Sequence, residues 1–276
     1  MKRLFLVTGV STGLGRALAS ACLERGHTVA GTLRSEDGRA EFDALSPGRS
    51  FGVLLDVTET DAVRPLVDRI EREIGPIDVL VNNAGYGLEG TIEETPLADQ
   101  RHQFDVNVFG AIAMIQSVLP HMRKRRSGHI INITSIGGMI TRAGLGAYHA
   151  SKFALEGYSG TLRGEVAGLG IKVTAVEPGG FRTDWAGRSM ARAARTVSDY
   201  DEVFEAQRKA RLAYNGHQPG DPAKAARAIL TLVESASPPA HLLLGSDAFA
   251  LAQQNLEVLK AEFDAWRTVS LSTDFD

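Results

Sequence analysis

The chain has 276 residues, 43% of them hydrophobic and 23% charged, a composition typical of one soluble globular domain. Its formal net charge of -3 gives no reason to expect nucleic acid or an anionic membrane as a partner. The single cysteine, Cys22, excludes an internal disulfide, and we expect a reducing, cytoplasmic environment.

The first predicted elements are a strand, a glycine loop and a helix. The apolar run Leu4–Val7 is typical of a strand buried on both faces, and it is too short for a signal peptide or a membrane span. The glycines that follow have the spacing Gly-x-x-x-Gly-x-Gly, which admits a pyrophosphate at the helix N-terminus, although they could simply make a tight turn. The candidate cofactor-binding residues here are Thr8, Gly9, Ser11, Thr12, Gly13, Leu14 and Gly15.

Arg34 follows the second predicted strand, Thr28–Leu33, at the position where a dinucleotide fold meets the adenosine ribose. An acidic residue there binds the 2′-hydroxyl of NAD, whereas the fork of an arginine suits the 2′-phosphate of NADP. After the second strand, no carboxylate that could repel a phosphate occurs before Glu36. We therefore expect NADP in preference to NAD. The other interpretation of Arg34 is a solvated loop residue.

Asp56 and Val57 close the third predicted strand, Ser50–Leu55, and both are candidate cofactor-binding residues. The Asp56 carboxylate could accept a hydrogen bond from the adenine amino group. It could equally cap the next helix, which is predicted from about Asp61 to Glu73.

Asn82 and Asn83 follow the fourth predicted strand, Asp78–Val81. Two amides at this position can tie neighbouring loops together by hydrogen bonds. The small residues Ala84 and Gly85 then leave room for a flat ring or a ribose. A plain turn that uses Asn and Gly for their dihedral tolerance is the alternative.

Asn107 lies inside a helical region predicted from about Leu97 to Met122. Asparagine is unfavourable within a helix because its side chain competes for backbone hydrogen bonds. We therefore expect Asn107 either to be exposed or to hold a specific feature, such as a water or a local bend.

Tyr148 and Lys152 lie four residues apart on a predicted helix, so their side chains share one face. A phenol near its ordinary pKa of about 10 releases a proton poorly at neutral pH, and a nearby ammonium would lower that pKa. The pair can act as an acid/base device if a redox cofactor lies nearby; otherwise an ordinary surface helix explains it. Ser135 follows the preceding predicted strand, His129–Thr134. His149 is expected to point away from Tyr148 and to be either packed or solvent-facing.

The sixth predicted strand, Ile171–Val176, ends at Glu177-Pro178-Gly179-Gly180. Residues 181–216 are predicted as short helices rather than sheet, and an insertion over the mouth of a pocket fits this position. The last predicted elements are a helix from Asp221, a strand over His241–Gly245 and a helix over residues 249–266.

Strands alternate with helices along nearly the whole chain, which predicts an α/β fold with one doubly wound parallel sheet of about seven strands. Ligands bind outside the carboxyl ends of the strands in such a sheet. Six candidate segments each follow a different predicted strand: Thr8–Gly15, Arg34, Asp56, Asn83, Ser135 and Pro178-Gly179. Each one can be explained separately by a turn or a cap, but their joint placement favours a ligand cleft.

These motifs together resemble those of the single-domain short-chain dehydrogenases/reductases over nearly the full length of the chain. The matching segments are Thr8-Gly9-x-x-x-Gly13-x-Gly15, Asp56-Val57, Asn82-Asn83-Ala84-Gly85, Asn107, Ser135, Tyr148-x-x-x-Lys152, and Pro178-Gly179 with Thr183. The resemblance implies a Rossmann fold, one catalytic domain over residues 1–276 and a homodimer or homotetramer. With Leu33-Arg34 after the second strand, the chain looks like an NADP-preferring member.

The same resemblance implies roles for individual residues. Tyr148 would be the catalytic acid/base, and Lys152 would hold the nicotinamide ribose and lower the pKa of Tyr148. Ser135 would hydrogen-bond the substrate oxygen, and Asn107 would support a water relay that reaches Lys152. The residues that would fix the nicotinamide end are Pro178, Gly179, Phe181 and Thr183.

The expected reaction is hydride transfer between NADP(H) and a carbonyl or secondary alcohol. The substrate is expected to be moderately hydrophobic, because the candidate pocket residues are small or apolar: Gly137, Met139, Gly144, Trp185 and Met190. The rival interpretations are a non-enzymatic nicotinamide-dependent regulator and a dehydratase or epimerase that uses the cofactor transiently. No metal site is expected, because the seven histidines are scattered and no cluster has ligand spacing.

Overall fold

The computed structural model describes residues 1–275, with the side chain of Ala186 also outside the description. All strand pairs within these residues are parallel. The strands are β1 (Leu4–Val7), β2 (Thr28–Leu33), β3 (Ser50–Leu54), β4 (Ile77–Asn82), β5 (Gly87–Glu89), β6 (Gly128–Ile133), β7 (Ile171–Pro178), β8 (Met190–Arg192) and β9 (His241–Leu244).

Ten α-helices lie within the described residues, and short turns of other helical types connect some of them. The α-helices are α1 (Gly13–Glu24), α2 (Glu36–Asp43), α3 (Thr60–Glu73), α4 (Leu97–Phe104), α5 (Gly110–Arg125), α6 (Gly146–Val166), α7 (Asp201–Tyr214), α8 (Pro222–Glu234), α9 (Ser246–Ala265) and α10 (Arg267–Leu271). The shorter turns are a π-helix at Asp105–Phe109 and 3₁₀-helices at Ile136–Gly138, Ala167–Leu169, Asp184–Ala186 and Ser198–Tyr200.

The main sheet has seven strands in the order β3-β2-β1-β4-β6-β7-β9. The chain runs outward from β1 through β2 to β3, then returns to the other side of β1 with β4. This reversal creates a crevice at the carboxyl ends of β1 and β4, which is where ligands bind in open parallel sheets. The predicted doubly wound parallel sheet is therefore confirmed.

Both faces of the sheet are buried, which explains why β1 is apolar at every position. Phe5 and Val7 belong to the core under α1 and α8, whereas Leu4 and Leu6 belong to the core under α3, α5 and α6. Burial of each such side chain contributes about 2 kcal/mol to folding. Cys22 is fully buried in the first core, and burial raises the pKa of its thiol to about 12.

The segment 181–216 differs from the prediction of short helices without sheet. Met190–Arg192 forms β8, which pairs in parallel with β5 from a distant part of the chain. The two 3₁₀-helices of this segment are short, as predicted, but α7 continues for 14 residues. A strand of three residues carries no detectable periodicity, so the sequence pattern did not indicate it.

Candidate active site

A cavity of about 1200 Å³ runs along the carboxyl ends of the central strands. Most residues that the sequence analysis assigned to the site line this cavity: Gly9, Ser11, Thr12, Gly13, Leu14, Arg34, Asp56, Val57, Asn83, Ala84, Gly85, Ser135, Tyr148, Lys152, Pro178, Gly179, Phe181 and Thr183. The remaining three, Thr8, Gly15 and Asn107, are not among the lining residues, but they contact residues that are.

Thr8 and Asn83 hold the glycine loop against the end of β4. The Thr8 hydroxyl accepts hydrogen bonds from the backbone N–H of Asn83 and of Ala84, both at 2.9 Å. In return, Asn83 Nδ2 donates to the carbonyl oxygens of Thr8 and Gly9 at 2.9 and 3.0 Å. The prediction that an amide here ties neighbouring loops together is confirmed.

The glycines of the loop are required by its backbone geometry. Gly9 and Gly13 have φ values of +72° and +62°, which favour glycine. A Cβ on Gly15 would overlap the Gly9 carbonyl oxygen and the Asn83 amide. These glycines therefore do more than make a turn, because at Gly15 they also allow a close approach to the Gly9 carbonyl and the Asn83 amide.

The first turn of α1 is suited to an anion. Thr12 is the N-cap residue, but its side chain makes no hydrogen bond to the helix, and no acidic residue lies in the first turn. Backbone N–H groups there need an acceptor, and the helix dipole favours a negative one. The methyl and Cβ atoms of Thr183 face Gly13 from the other side of the loop. These residues fit the pyrophosphate of a dinucleotide.

Asp56 lies at the end of the cavity where Arg34 is also found. Its Oδ1 accepts hydrogen bonds from the backbone N–H and the hydroxyl of Thr58, at 3.0 and 2.8 Å. Burial alone would raise the pKa of Asp56, but these hydrogen bonds and the charge of Arg34 lower it. The N-cap of α3 is Glu59, so the alternative that Asp56 caps this helix is wrong.

Asp247 at the start of α9 supports the Pro178–Phe181 segment, and the sequence analysis missed it. Its Oδ2 accepts a hydrogen bond from the Gly180 N–H at 2.7 Å and one from the Tyr214 hydroxyl at 3.4 Å. A Cβ on Gly179 would overlap the Asp247 carboxylate, so glycine is required there as well. A carboxylate in the first turn of a helix is common, and no local signal distinguishes this one.

Tyr148 is 6% exposed and lies in the wall of the cavity. Burial raises the pKa of its phenol to about 12, and a hydrogen bond with the Ser135 side chain opposes that rise. Although Lys152 lies beside it, the Tyr148 phenol has a pKa above its ordinary value, and not below it as expected. The reason is desolvation, which penalises the phenolate more than the surrounding dipoles stabilise it.

Lys152 is buried beside Tyr148, with its Nζ 5.8 Å from the centroid of the phenol ring. The Nζ donates a hydrogen bond to the Ile133 carbonyl oxygen at 2.9 Å. Burial lowers the pKa of Lys152 to about 8, and the nearby Glu156 carboxylate raises it again in part. The lysine is thus still an ammonium at neutral pH, held by the end of β6.

Asn107 is buried inside the π-helix that joins α4 to α5. The single helix predicted from about Leu97 to Met122 is therefore interrupted by this π-helix, at the asparagine that is unfavourable within a regular helix. The Asn107 side chain hydrogen-bonds both the N–H and the carbonyl of Tyr86 at 3.1 Å, and it donates to Ser151 Oγ at 3.0 Å. Of the alternatives for Asn107, exposure is wrong and a local irregularity of the helix is confirmed.

His149 fastens the loop after Ser135. Its Nδ1 lies 2.8 Å from the Gly137 carbonyl oxygen, and its Nε2 accepts from the Arg142 N–H at 3.1 Å. Burial lowers the pKa of His149, which agrees with a neutral ring that donates through Nδ1. Of the alternatives for His149, packing is confirmed and exposure is wrong. Its ring does not point away from Tyr148 as expected, because the two ring centroids lie 5.8 Å apart in an edge-on arrangement.

Beyond Tyr148, the cavity has an apolar wall. The rings of Trp185 and Tyr148 lie 5.1 Å apart, and Met190 and Leu145 pack with them. Gly137, Trp185 and Met190 line the cavity as predicted. Met139 and Gly144 are described residues that are not among the lining residues. The Met139 carbonyl accepts a hydrogen bond from Asn255, and Gly144 lies against the Phe204 ring.

Folding also brings together a group that sequence spacing could not indicate. Glu156 of α6, Glu177 of β7 and His241 of β9 offer ligand atoms within 4.8 Å of one another. His241 Nδ1 lies 2.8 Å from Glu177 Oε1, and burial raises the pKa of Glu177 to about 7. The sequence analysis missed this group because its members are far apart in sequence and have no ligand spacing.

Within residues 1–275, no helix combines the length and the apolar character needed to cross a bilayer. The fold and the cavity together define a dinucleotide-binding α/β protein with a tyrosine, a lysine and a serine at the far end of the cofactor cleft.

Comparison with known proteins identifies the family. A family model described as short chain dehydrogenase matches residues 3–194. The chain is 38% identical over 275 residues to oxidoreductase BOA17 of Botryotinia fuckeliana, which covers 99% of this chain and 100% of that protein. It is 37% identical to the 3-ketodihydrosphingosine reductase of Bacteroides thetaiotaomicron, over 88% of each chain.

A crystal structure of a short-chain dehydrogenase from Streptomyces avermitilis has a TM-score of 0.93 against this fold. It shares 39% identity and covers 99% of this chain and 98% of that chain. The chain therefore belongs to the short-chain dehydrogenase/reductase family and is an NAD(P)-dependent oxidoreductase. This membership excludes the non-enzymatic regulator as an interpretation.

Proposed function

We propose that the protein transfers a hydride between NADP(H) and a moderately hydrophobic carbonyl or secondary-alcohol compound. The observation that carries this proposal is that Tyr148 and Ser135 line one cavity together with the glycine loop and the apolar wall of Trp185 and Met190. A carbonyl bound at this pair would lie between the cofactor cleft and the apolar wall.

The cofactor, when bound, supplies or accepts the hydride at C4 of its nicotinamide ring. The Ser135 hydroxyl donates a hydrogen bond to the carbonyl oxygen, where negative charge builds as the bond to hydrogen forms. The Tyr148 hydroxyl gives its proton to the same oxygen. A phenol kept protonated by burial suits this donation in the reductive direction.

In this proposal, Lys152 and Asn107 assist the transfer of a proton through Tyr148. The Lys152 ammonium would hold the nicotinamide ribose and favour the phenolate that Tyr148 leaves behind. A Cβ on Gly85 would lie 3.1 Å from Asn107 Oδ1 and 3.7 Å from Lys152 Nζ, so the two polar groups meet at this glycine. That meeting point supports a water relay between Asn107 and Lys152.

Arg34 supports NADP over NAD. It lines the cavity beyond β2, and its charge acts on Asp56 at the same end. A guanidinium there can bind a 2′-phosphate through two parallel hydrogen bonds. Asp56 leaves one carboxylate oxygen outside its hydrogen bonds to Thr58, which is consistent with a contact to adenine.

The substrate class follows from the wall beyond Tyr148. Trp185, Met190 and Leu145 supply apolar surface, and the segment 181–216 contributes two of the three residues. We therefore assign that segment as an insertion over the substrate end of one catalytic domain. The Bacteroides relative is named for a keto lipid, which supports a hydrophobic ketone as substrate.

The test is a panel of ketones, aldehydes and secondary alcohols, assayed with NADPH, NADH, NADP⁺ and NAD⁺. The absorbance at 340 nm reports oxidation or reduction of the cofactor, and chromatography reports the product. We expect turnover of apolar ketones with NADPH in preference to NADH. Product formation without a net change in absorbance would instead favour an epimerase or dehydratase.

A further inference from the structure

A buried carboxylate at the substrate end of the cavity is surrounded by arginines. Glu89, the last residue of β5, is 3% exposed. Arg211 Nε donates to Glu89 Oε2 at 3.0 Å, and the Nε atoms of Arg192 and Arg208 lie 4.0 Å from Glu89 Oε1. The three arginines come from β8 and α7, within the segment that covers this end of the cavity.

Arginines also gather next to Glu89 on α7. Arg208 contacts Glu205 at 3.5 Å and lies one turn before Arg211 on this helix. Arg142 adds a further positive charge, because it lines the same cavity as Arg192 and Arg211. Arg142 and Arg211 thus present two guanidinium groups to one cavity, and like charges placed together favour an anionic ligand there.

Arg211 has incomplete hydrogen bonds and lines the cavity, whereas Arg208, whose buried Nε also lacks a hydrogen-bond partner among the described residues, is not among the lining residues. Its side chain is 17% exposed, and its Nη1 reaches only the Ala143 carbonyl oxygen, at 3.5 Å. Its Nη2 is buried and, among the described residues, has no hydrogen-bond partner. A buried guanidinium N–H without an acceptor is destabilising, so this nitrogen indicates a missing partner.

The arginines lie close to the reacting end of the proposed substrate. Arg142 and Arg211 both act on the charge state of His149, which is adjacent to Tyr148. The carbonyl of Ala143, which Arg211 approaches, belongs to the same loop as Arg142. A molecule with its carbonyl at Tyr148 and its body on Trp185 and Met190 can therefore reach these guanidinium groups within one cavity.

We propose that Arg211, with Arg142, binds an anionic group of the substrate, such as a carboxylate, sulfonate or phosphate. Guanidinium groups bind such groups through paired hydrogen bonds, and Glu89 fixes the orientation of Arg211 for this purpose. The preferred substrate is then an amphiphilic ketone with an acidic end, and not a neutral lipid. This inference rests on the proposed function, because it places the carbonyl at Tyr148.

The first test compares methyl ketones that carry a terminal carboxylate with their methyl esters, over a series of chain lengths. We expect kcat/KM for the best carboxylate to exceed that of its ester by about tenfold or more, chiefly through a lower KM. In Arg211→Gln this preference should fall to near unity, whereas Arg211→Lys should keep part of it. Equal kcat/KM for acid and ester at every length would overturn the proposal.

Arg195→Gln is the matched control for a general effect of losing an arginine from the segment 181–216. Arg195 lies in the same segment and pairs with Glu94 and Asp201, but it is not among the residues lining the cavity. We expect this variant to keep the preference for the carboxylate even if its stability falls. A preference that disappears equally in Arg195→Gln and Arg211→Gln would mean that Arg211 only stabilises the segment.

A binding measurement separates failure of this inference from failure of the proposed function. Calorimetric titration of the purified protein with decanoate and with 1-decanol needs no turnover. Tighter binding of decanoate in the wild type, lost in Arg211→Gln, supports the anion site even if no ketone is reduced. Equal binding of the two probes, or decanoate binding that survives in Arg211→Gln, would overturn it whether or not ketones are reduced.

Discussion

The two ends of the cavity are built in different ways. At the cofactor end, Thr8 and Asn83 hold a glycine loop through hydrogen bonds to backbone groups of the adjacent strands. At the substrate end, the buried carboxylates of Glu89 and Glu94 hold arginines that come from a segment about a hundred residues further along the chain. One end depends on close backbone packing, and the other depends on side-chain charge.

This difference determines what substitution can do at each end. The glycine loop has no room for a Cβ at Gly15, so even a small change there should disturb binding of the cofactor. The arginines around Glu89 can be exchanged with less effect on the backbone, so changes there should alter which substrate is preferred. Tyr148 lies where the two ends meet, and its loss should affect chemistry alone.

The largest expected effect is that of Tyr148→Phe. This change removes the proton donor and keeps the ring, so kcat should fall by about 10³-fold, within the range for loss of a general acid. The affinity for NADPH should remain that of the wild type, as measured by quenching of protein fluorescence. A variant that retains nearly the wild-type kcat with a responsive ketone would remove Tyr148 from the reaction.

The next effect concerns the backbone of the cofactor end. In Gly15→Ala, the new Cβ would overlap the Gly9 carbonyl and the Asn83 amide. We expect the free energy of unfolding to fall by about 2 kcal/mol and the affinity for NADPH to fall by about tenfold or more. Chemical denaturation and fluorescence titration measure the two quantities.

Gly164→Ala provides the matched control for that change. Gly164 lies in α6, where an added Cβ would meet no atom within 4 Å. This substitution should raise the free energy of unfolding by about 0.5 kcal/mol and leave cofactor affinity unchanged. If both alanine variants behaved alike, the close approach of the glycine loop would not be what holds the cofactor.

A smaller effect is expected at the adenosine end of the cavity. Arg34→Asp replaces a phosphate-binding group by one that suits a ribose hydroxyl. The ratio of kcat/KM for NADPH to that for NADH should fall by about tenfold or more. Arg72→Asp, at an exposed site on α3, is the control. An unchanged ratio in Arg34→Asp would remove this arginine from the cofactor site.

The last expected effect concerns stability and not catalysis, and it lies at Glu177 on β7. Burial raises the pKa of its carboxyl from 4.5 to about 7, so the folded protein retains a proton that the unfolded chain releases. Stability should therefore fall as the pH rises from 4.5 to 7, by about 2 kcal/mol. Urea unfolding across this range should show a flatter profile for Glu177→Gln, and identical profiles would contradict the assignment.

The cofactor end could be predicted from sequence because its signals are local. Gly9, Gly13 and Gly15 lie within seven residues, directly between a strand and a helix, and the sheet then brings Asn83 to them. The positions of Ser135, Tyr148 and Lys152 followed in the same way from strand ends and from helical periodicity. In each of these examples, the element that holds the residue is adjacent to it in sequence.

The substrate end could not be predicted because its contacts join distant segments. Glu89 pairs with Arg211, and Met190 reaches Tyr148, only after β5 and β8 have come together. The same holds for Glu177 and His241, which lie on neighbouring strands. The pKa of Tyr148 was also beyond prediction, since it depends on desolvation, which requires knowledge of the packed cavity.

The central claim is a net transfer of hydride to a carbonyl carbon, and isotope labelling tests it most directly. The most responsive ketone of the panel would be incubated with NADPH deuterated at both C4 positions, and the product analysed by mass spectrometry. We predict an alcohol with one deuterium on its carbinol carbon for each molecule of NADPH oxidised. A product without deuterium, or labelled cofactor recovered unchanged after turnover, would contradict the account.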